Sequence, residues 1–135
     1  MSTITLGIIG GGQLGSMLAI AAKKLGIKTI ILCDDADAPA QNFCNKFINS
    51  NYNDNEKIIE FVNQVDIVTY EFENIPYETL NEINKLKNVL PKPSINRLIQ
   101  HRLAEKDFVN KLNIRTTRYV SIKDKSEIQT LDDFL

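Results

Sequence analysis

Three consecutive glycines between an apolar run and a helical pattern constrain this chain more than any other feature. The apolar run covers Ile4–Ile9, and the segment Gly10-Gly11-Gly12-Gln13-Leu14-Gly15 follows it directly. Glycine at a strand-to-helix junction lets a ligand approach the main chain closely, because no Cβ stands in the way. The free N–H groups and the dipole of the following helix favour an anion there. The sequence therefore predicts a βα corner that holds an anion, with phosphate as the favoured ligand.

Strand-like and helix-like patterns alternate along most of the chain. Apolar runs predict strands at 5–9, 29–33, 47–48, 67–70 and 89–90, and 3.6-residue periodicity predicts helices between them. The first helix is expected at Gln13–Leu25, with one face formed by Leu14, Leu18, Ala21 and Leu25. Such alternation is typical of βαβ units. We therefore expect an α/β fold, a Rossmann-like parallel sheet flanked by helices.

Prolines and caps organise the rest of the chain. Pro76 fits the first helical position of one helix, and Ser94 fits the cap of another. A strand is expected at 117–121, and an Asp124–Glu127 capping box is expected to open a last helix that reaches residue 135. We expect one domain over residues 1–93, and over 94–135 the linker helices and strand that begin a second, truncated domain.

Composition excludes several classes of partner. The net charge is −1, with lysine and arginine spread along the chain, so nothing favours nucleic acid or an anionic membrane. The apolar stretch 4–22 lacks a basic N-terminal flank and is broken by the glycines, which argues against a signal peptide and a membrane span. Cys33 and Cys44 are expected to be reduced thiols of a cytoplasmic protein, Cys33 as core filler.

The glycine segment alone leaves the ligand open. Gly10-x-Gly12-x-x-Gly15 matches the dinucleotide fingerprint, and Asp34 follows near the roughly 20-residue spacing of the ribose-binding acid. Another phosphate ligand also fits, and so does a purely structural role in the turn. The GxxxxGK[ST] pattern is absent from the sequence, which excludes a P-loop.

Two further motifs carry candidate chemistry. Tyr70-Glu71-Phe72-Glu73-Asn74 lies just past a predicted parallel strand, where α/β sheets place ligands, and its two carboxylates can bind ribose hydroxyls or an amine. Arg102 and Lys106 share a helix face and suit a polyphosphate, although a surface stripe explains them equally well. His101, the single histidine, has no nucleophile in a recognisable arrangement and is expected to be exposed rather than catalytic.

In this order, the motifs resemble the ATP-grasp family of 5-(carboxyamino)imidazole ribonucleotide synthases of purine biosynthesis. The segments that carry the resemblance are 8–18 (IIGGGQLGSML), 68–76 (VTYEFENIP), 91–94 (PKPS) and 102–108 (RLAEKDF). The resemblance implies that the chain is the N-terminal, pre-ATP-grasp part of a carbon–nitrogen ligase. In that family, ATP drives carboxylation of 5-aminoimidazole ribonucleotide by bicarbonate.

The resemblance also implies roles for individual residues. It places Gly12, Gln13, Leu14 and Glu73 against the ribonucleotide and Arg102 against the ATP phosphates. It implies no catalytic or metal-binding residue within this chain, since the Mg²⁺ ligands and most of the ATP site would follow Leu135. The chain alone would then be inactive, and the full enzyme could form a homodimer. Three positions depart from the family pattern, with His101, Asn113 and Arg115 in place of common Asp, Gly and Pro.

Three alternatives stay open at this point. Another purine-pathway ATP-grasp ligase, such as the formate-dependent glycinamide ribonucleotide transformylase, shares the glycine loop. An NAD(P)-binding oxidoreductase domain would use Asp34, and a non-catalytic α/β interaction domain would bind no ligand at the glycines.

Overall fold

The structure, a computed structural model, describes residues 4–130. The chain divides into two compact units, one up to Gln100 and one from His101 onward. Our domain boundary at residue 93 stays a prediction. The elements of the first unit are β1 (Thr5–Ile9), α1 (Gln13–Lys24), β2 (Lys28–Cys33), a 3₁₀ turn (Pro39–Asn42), β3 (Lys46–Asn49), α2 (Asn55–Val62), β4 (Ile67–Tyr70), α3 (Tyr77–Leu86) and α4 (Pro93–Ile99).

The first unit is built on a four-stranded sheet in the order β3-β2-β1-β4. All three strand pairs are parallel, and Gly7 of β1 lies opposite Ile30 of β2 and Val68 of β4. The expected strand at 89–90 is reduced to a single parallel bridge between Val89 and Val68. The predicted α/β class with a parallel sheet flanked by helices is confirmed.

The sheet is buried on both faces. Successive residues of a strand point to opposite faces, so two neighbouring residues of β1 show what covers each face. Ile8 belongs to one apolar cluster, together with Ala19 of α1, whereas Ile9 belongs to a second cluster, together with Phe61 of α2. Ile8, Ile9 and Phe61 are fully buried. The βα corner after Ile9 is therefore anchored from both layers.

The leucine face of α1 is not the face that packs on the sheet. Leu14, Leu18 and Leu25 are 55%, 38% and 76% exposed. The buried face consists of small residues, Gly15, Ser16, Ala19 and Ala22. Small side chains let the helix axis come close to the strands, so the leucine periodicity marked the outer face.

Helix starts differ in how well the sequence located them. Asn53 and Asp54 both fit the cap of α2 by sequence, and Asp54 is the cap, since its Oδ1 accepts a hydrogen bond from the Lys57 N–H at 3.1 Å. Pro76 precedes α3 as its N-cap residue instead of opening it. Ser94 lies inside α4, which begins at Pro93 after Lys92, so the predicted serine cap is wrong.

The second unit contains α5 (Arg102–Lys111) and a 3₁₀ helix (Lys125–Thr130). His101 is exposed and caps α5, its Nδ1 accepting from the Ala104 N–H at 3.3 Å. Asn113, just beyond α5, has φ +59°, a left-handed conformation that explains why glycine would suit this position.

The expected strand at 117–121 is not formed. Near the expected capping box, Asp124 Oδ1 accepts from the Ser126 N–H at 2.9 Å and Glu127 Oε2 from the Lys123 N–H at 3.0 Å. The helix they open is a 3₁₀ helix, and its expected course to residue 135 lies outside the described residues. Among the helices of residues 4–130, none has the length and apolar character that crossing a membrane requires.

Candidate functional site

The turn between β1 and α1 uses its glycines for different reasons. Gly10 has φ +104°, a conformation that side chains rarely adopt, and its N–H donates to the Leu32 carbonyl at 2.9 Å. A Cβ on Gly15 would lie 2.7 Å from the Gly10 carbonyl oxygen. The fold itself requires glycine at these two positions, whatever binds here.

Gly12 is different, because a side chain would fit there. It is the N-cap residue of α1, with φ −71° and ψ −159°, an extended conformation open to any residue. The nearest atom to a Cβ would be Glu71 Oε1, at an ordinary contact distance of 3.5 Å. The space beside Gly12 is therefore not needed for packing, and a ligand can use it.

Glu71 already occupies the anion position of this corner. It directly follows β4, and its N–H donates to the Ile9 carbonyl at 3.2 Å. Its Oε1 accepts from the Gly12 N–H at 3.2 Å. The helix dipole stabilises a carboxylate at this end of α1. A phosphate bound to the same N–H would have to displace it, so the phosphate predicted from the sequence meets a protein carboxylate in its place.

A cavity of about 240 Å³ opens beside the corner. Its lining residues are glycines, carboxylates and residues with an apolar or aromatic side chain: Gly10, Gly11, Gly12, Cys33, Asp34, Asp35, Ala38, Tyr52, Glu71 and Phe72. Three of these residues are acidic, and none of the lining residues in the described part of the chain is lysine or arginine. Such a cavity favours hydroxyl and amino groups of a ligand and disfavours a phosphate dianion.

Tyr52 forms the buried side of the cavity. It is 6% exposed, and its phenol donates to Cys33 Sγ at 3.9 Å. Burial, reinforced by Cys33 and Asp34, raises the pKa of Tyr52, so the phenol stays neutral. Cys33 is a free thiol, 5% exposed, within the apolar cluster of Ile8, and acts as core filler as predicted. Sequence reasoning missed Tyr52, because it lies outside every motif.

The predicted substrate contacts separate around this cavity. Gly12 lines it, whereas Gln13 and Leu14 are exposed in the first turn of α1 and lie outside the lining. Glu73 is also exposed and outside it, while Glu71 of the same motif is inside. The ribonucleotide-binding roles of Gly12, Gln13, Leu14 and Glu73 stay predictions. Asp34 lines the cavity too, where a ribose-binding acid would be useful.

Arg102 lies in the second unit, which has a cavity of its own. Arg102 and Lys106 both line this space of about 240 Å³. Arg102 Nη1 contacts Glu105 Oε2 at 2.6 Å, and Lys106 Nζ lies 6.0 Å from the centre of the Tyr119 ring. Two cations beside one space fit a phosphate chain, provided that Arg102 exchanges Glu105 for the ligand. Within residues 4–130, no group of three or more His, Cys, Asp or Glu side chains is placed to hold a metal ion.

Comparison with known proteins shows which family this chain is similar to. The family model described as the ribonucleotide synthetase preATP-grasp domain matches residues 1–100. The chain is 40% identical over 124 residues to the N5-carboxyaminoimidazole ribonucleotide synthase of Brucella melitensis, covering 92% of this chain and 34% of that protein. The chain thus spans about a third of the length of such relatives.

Solved structures show the same fold. The N5-carboxyaminoimidazole synthetase of Staphylococcus aureus, complexed with ADP, superposes with a TM-score of 0.88 and 32% identity, over 99% of this chain and 36% of that one. The N5-carboxyaminoimidazole synthase of Aspergillus clavatus, in complex with ADP and 5-aminoimidazole ribonucleotide, has a TM-score of 0.81 and 25% identity, over 98% and 36%. Both similarities include the second unit as well as the first.

Proposed function

The chain belongs to the ribonucleotide synthetase pre-ATP-grasp family, and on that premise we propose that it is the substrate-binding part of an ATP-dependent carbon–nitrogen ligase. The ligase would carboxylate 5-aminoimidazole ribonucleotide with bicarbonate in purine biosynthesis, releasing ADP and phosphate. The observation that carries the proposal is the acidic cavity at the glycine corner, within the segment that the family model matches.

In this proposal Glu71 is the main recognition group of the corner. Its carboxylate accepts hydrogen bonds, is held by the Gly12 N–H and faces a cavity that also contains Asp34 and Asp35. A ribonucleotide offers such acceptors its ribose hydroxyls and an exocyclic amine, all of which donate. We therefore place the sugar or base end of the substrate here and its phosphate elsewhere, with Gln13, Leu14 and Glu73 as flanking contacts.

We propose that Arg102 binds the phosphates of ATP. Support comes from the two cations beside the second cavity and from the relatives solved with ADP or ATP. The Mg²⁺ that accompanies ATP would need carboxylates from other segments. Cytoplasmic location and a homodimeric full-length enzyme complete the proposal, the former resting on the two free cysteines.

The test compares two glutamates two residues apart. Calorimetric titration of the chain with 5-aminoimidazole ribonucleotide is expected to show saturable binding that Glu71→Gln weakens by about 10- to 150-fold, because a hydrogen bond to a charged group contributes about 1.5–3 kcal/mol. Glu73→Gln is the comparison variant, expected to weaken binding less than Glu71→Gln, because Glu73 is a flanking contact whose side chain lies outside the cavity lining. A larger loss with Glu73→Gln would contradict the placement on Glu71, and absence of binding by the wild-type chain would contradict the proposed function.

A further inference from the structure

The loop that carries Glu71 and Glu73 is fastened by its main-chain carbonyls to α4. Gln100 Nε2 donates to the Glu73 carbonyl at 2.6 Å and to the Ile75 carbonyl at 2.8 Å. Asn96 Nδ2 donates to the Ile75 carbonyl at 3.0 Å. Asn96 of α4 and Gln100, the C-cap residue of α4, thus hold the end of the loop by three hydrogen bonds.

The side-chain amide of Asn96 uses its nitrogen in a hydrogen bond but not its oxygen. The residue is fully buried, and its Oδ1 has no hydrogen-bond partner among the described residues. A buried acceptor without a partner destabilises the folded state, so an apolar residue of similar size would serve packing better. The hydrogen bond to Ile75 therefore explains the asparagine better than core packing does.

The loop depends on these contacts for its position. Its start is fixed by the hydrogen bond from the Glu71 N–H to the Ile9 carbonyl, and its end by fully buried Ile75. Between these points Phe72 and Glu73 are exposed, and the weak Ile75 N–H to Phe72 carbonyl bond of 3.4 Å gives little restraint. Of the two carbonyls that Asn96 and Gln100 hold, that of Glu73 lies in this poorly supported stretch and that of Ile75 lies at its end.

We propose that Asn96 and Gln100 are positioning residues for ribonucleotide recognition. They hold residues 73–75 so that the Glu71 carboxylate stays at the Gly12 N–H, ready to accept hydrogen bonds from the substrate. The inference rests on the proposed function and deepens it, because it assigns the geometry of the acidic loop to α4.

The test uses Gln100→Met in the 135-residue chain, because Gln100 is exposed and methionine keeps its length without its donors. Gln64→Met is the matched control. Gln64 also donates its Nε2 to a main-chain carbonyl, that of Glu60 at 2.7 Å, but at the end of α2. Titration of ¹⁵N-labelled protein with 5-aminoimidazole ribonucleotide is expected to show five- to thirtyfold weaker binding for Gln100→Met and less than a twofold change for Gln64→Met.

A double-mutant cycle separates positioning from a general loss of structure. In the Glu71→Gln background, the effect of Gln100→Met is expected to fall below twofold, since the carboxylate that it positions is gone. An undiminished effect there would overturn the inference, as would wild-type affinity of Gln100→Met. In both cases the proposed function stands, because the wild-type chain still binds. If the wild-type chain does not bind the ribonucleotide, the proposed function fails and the inference falls with it.

Asn96→Leu gives a second variant that keeps the core filled. We expect a urea unfolding midpoint close to that of the wild type, because the substitution removes a buried acceptor that has no partner among the described residues. Binding should nevertheless weaken at least threefold, and shifts of the Phe72–Ile75 amides in the free protein should report the released loop. Unchanged amide shifts with unchanged affinity would contradict a positioning role for Asn96.

Discussion

Replacing Gly12 with alanine should preserve the fold and weaken ribonucleotide binding. The main chain at Gly12 is extended, and the nearest atom to the added methyl group would be Glu71 Oε1 at 3.5 Å. Nothing in the folded protein must move to admit it. Because alanine also restricts the unfolded chain, the substitution is expected to be neutral or to stabilise the protein by about 0.4–1 kcal/mol.

The substitution is expected to weaken binding of the ribonucleotide. A substrate group that hydrogen-bonds to Glu71 beside the Gly12 N–H would share its space with the new methyl group. Overfilling a packed contact by one methyl typically costs about 1–3 kcal/mol. This corresponds to a dissociation constant raised by about 5- to 150-fold. Gly12→Ala should therefore lower affinity for the ribonucleotide without lowering the stability of the fold, as expected if this glycine is needed for binding.

Gly15→Ala is the control, because it should show the reverse. Its Cβ would lie 2.7 Å from the Gly10 carbonyl oxygen, a backbone atom that cannot turn away, so we expect a loss of stability of about 1–3 kcal/mol. Urea unfolding and calorimetric titration with 5-aminoimidazole ribonucleotide measure both quantities on the same samples. Wild-type affinity of Gly12→Ala would refute the reasoning, and so would unfolding of Gly12→Ala to the extent seen for Gly15→Ala.

Three further predictions concern the scaffold. Asp54→Ala should destabilise the chain by about 1 kcal/mol in urea unfolding, because it removes the side-chain cap of α2. Asp54→Ser should retain most of the wild-type stability, since serine can also cap, and equal losses for the two variants would contradict the capping role. Phe61→Ala should cost about 3–5 kcal/mol, because the ring is fully buried between α2 and the sheet, and a loss under 1 kcal/mol would contradict this packing. Hydrogen bonds from Lys57, and to a smaller extent from Lys46, lower the pKa of Glu60 from its ordinary 4.5 to about 2. The stability that these bonds give the folded protein is therefore complete above pH 4.5 and is lost as the pH falls towards 2. The difference in thermal midpoint between wild type and Glu60→Gln should therefore shrink over that interval, and a constant difference would contradict the assignment.

Local signals located the sheet and the corner well. Short apolar runs and the glycines between them predicted β1, β2 and β4 within a residue, because buried parallel strands are nearly continuous in apolar residues. The extent of α1 was also predicted within a residue, but its leucine periodicity did not identify the face that packs on the sheet. Its leucines form the exposed face, since close packing on the sheet selects Gly15 and Ala19 instead. Periodicity shows that a helix has two faces, but it does not show which one packs.

The site was predicted at the level of motifs and not of side chains. The glycine segment and the acidic segment were each recognised, and parallel topology brings both to the carboxyl edge of the sheet. The sequence could not show that Glu71 accepts from the Gly12 N–H while Glu73 is exposed outside the cavity lining, because both depend on tertiary contacts of the loop. The contribution of Tyr52 depends on tertiary packing and leaves no local signal.

The most direct test of the account asks which nucleotide the glycine corner accepts. Separate titrations of the ¹⁵N-labelled chain with 5-aminoimidazole ribonucleotide and with NADH would follow the amides of residues 10–14 and 71–73. We predict saturable shifts of these amides with the ribonucleotide and none with NADH at equal concentration. Saturation by NADH, with the ribonucleotide leaving the corner unchanged, would contradict the account.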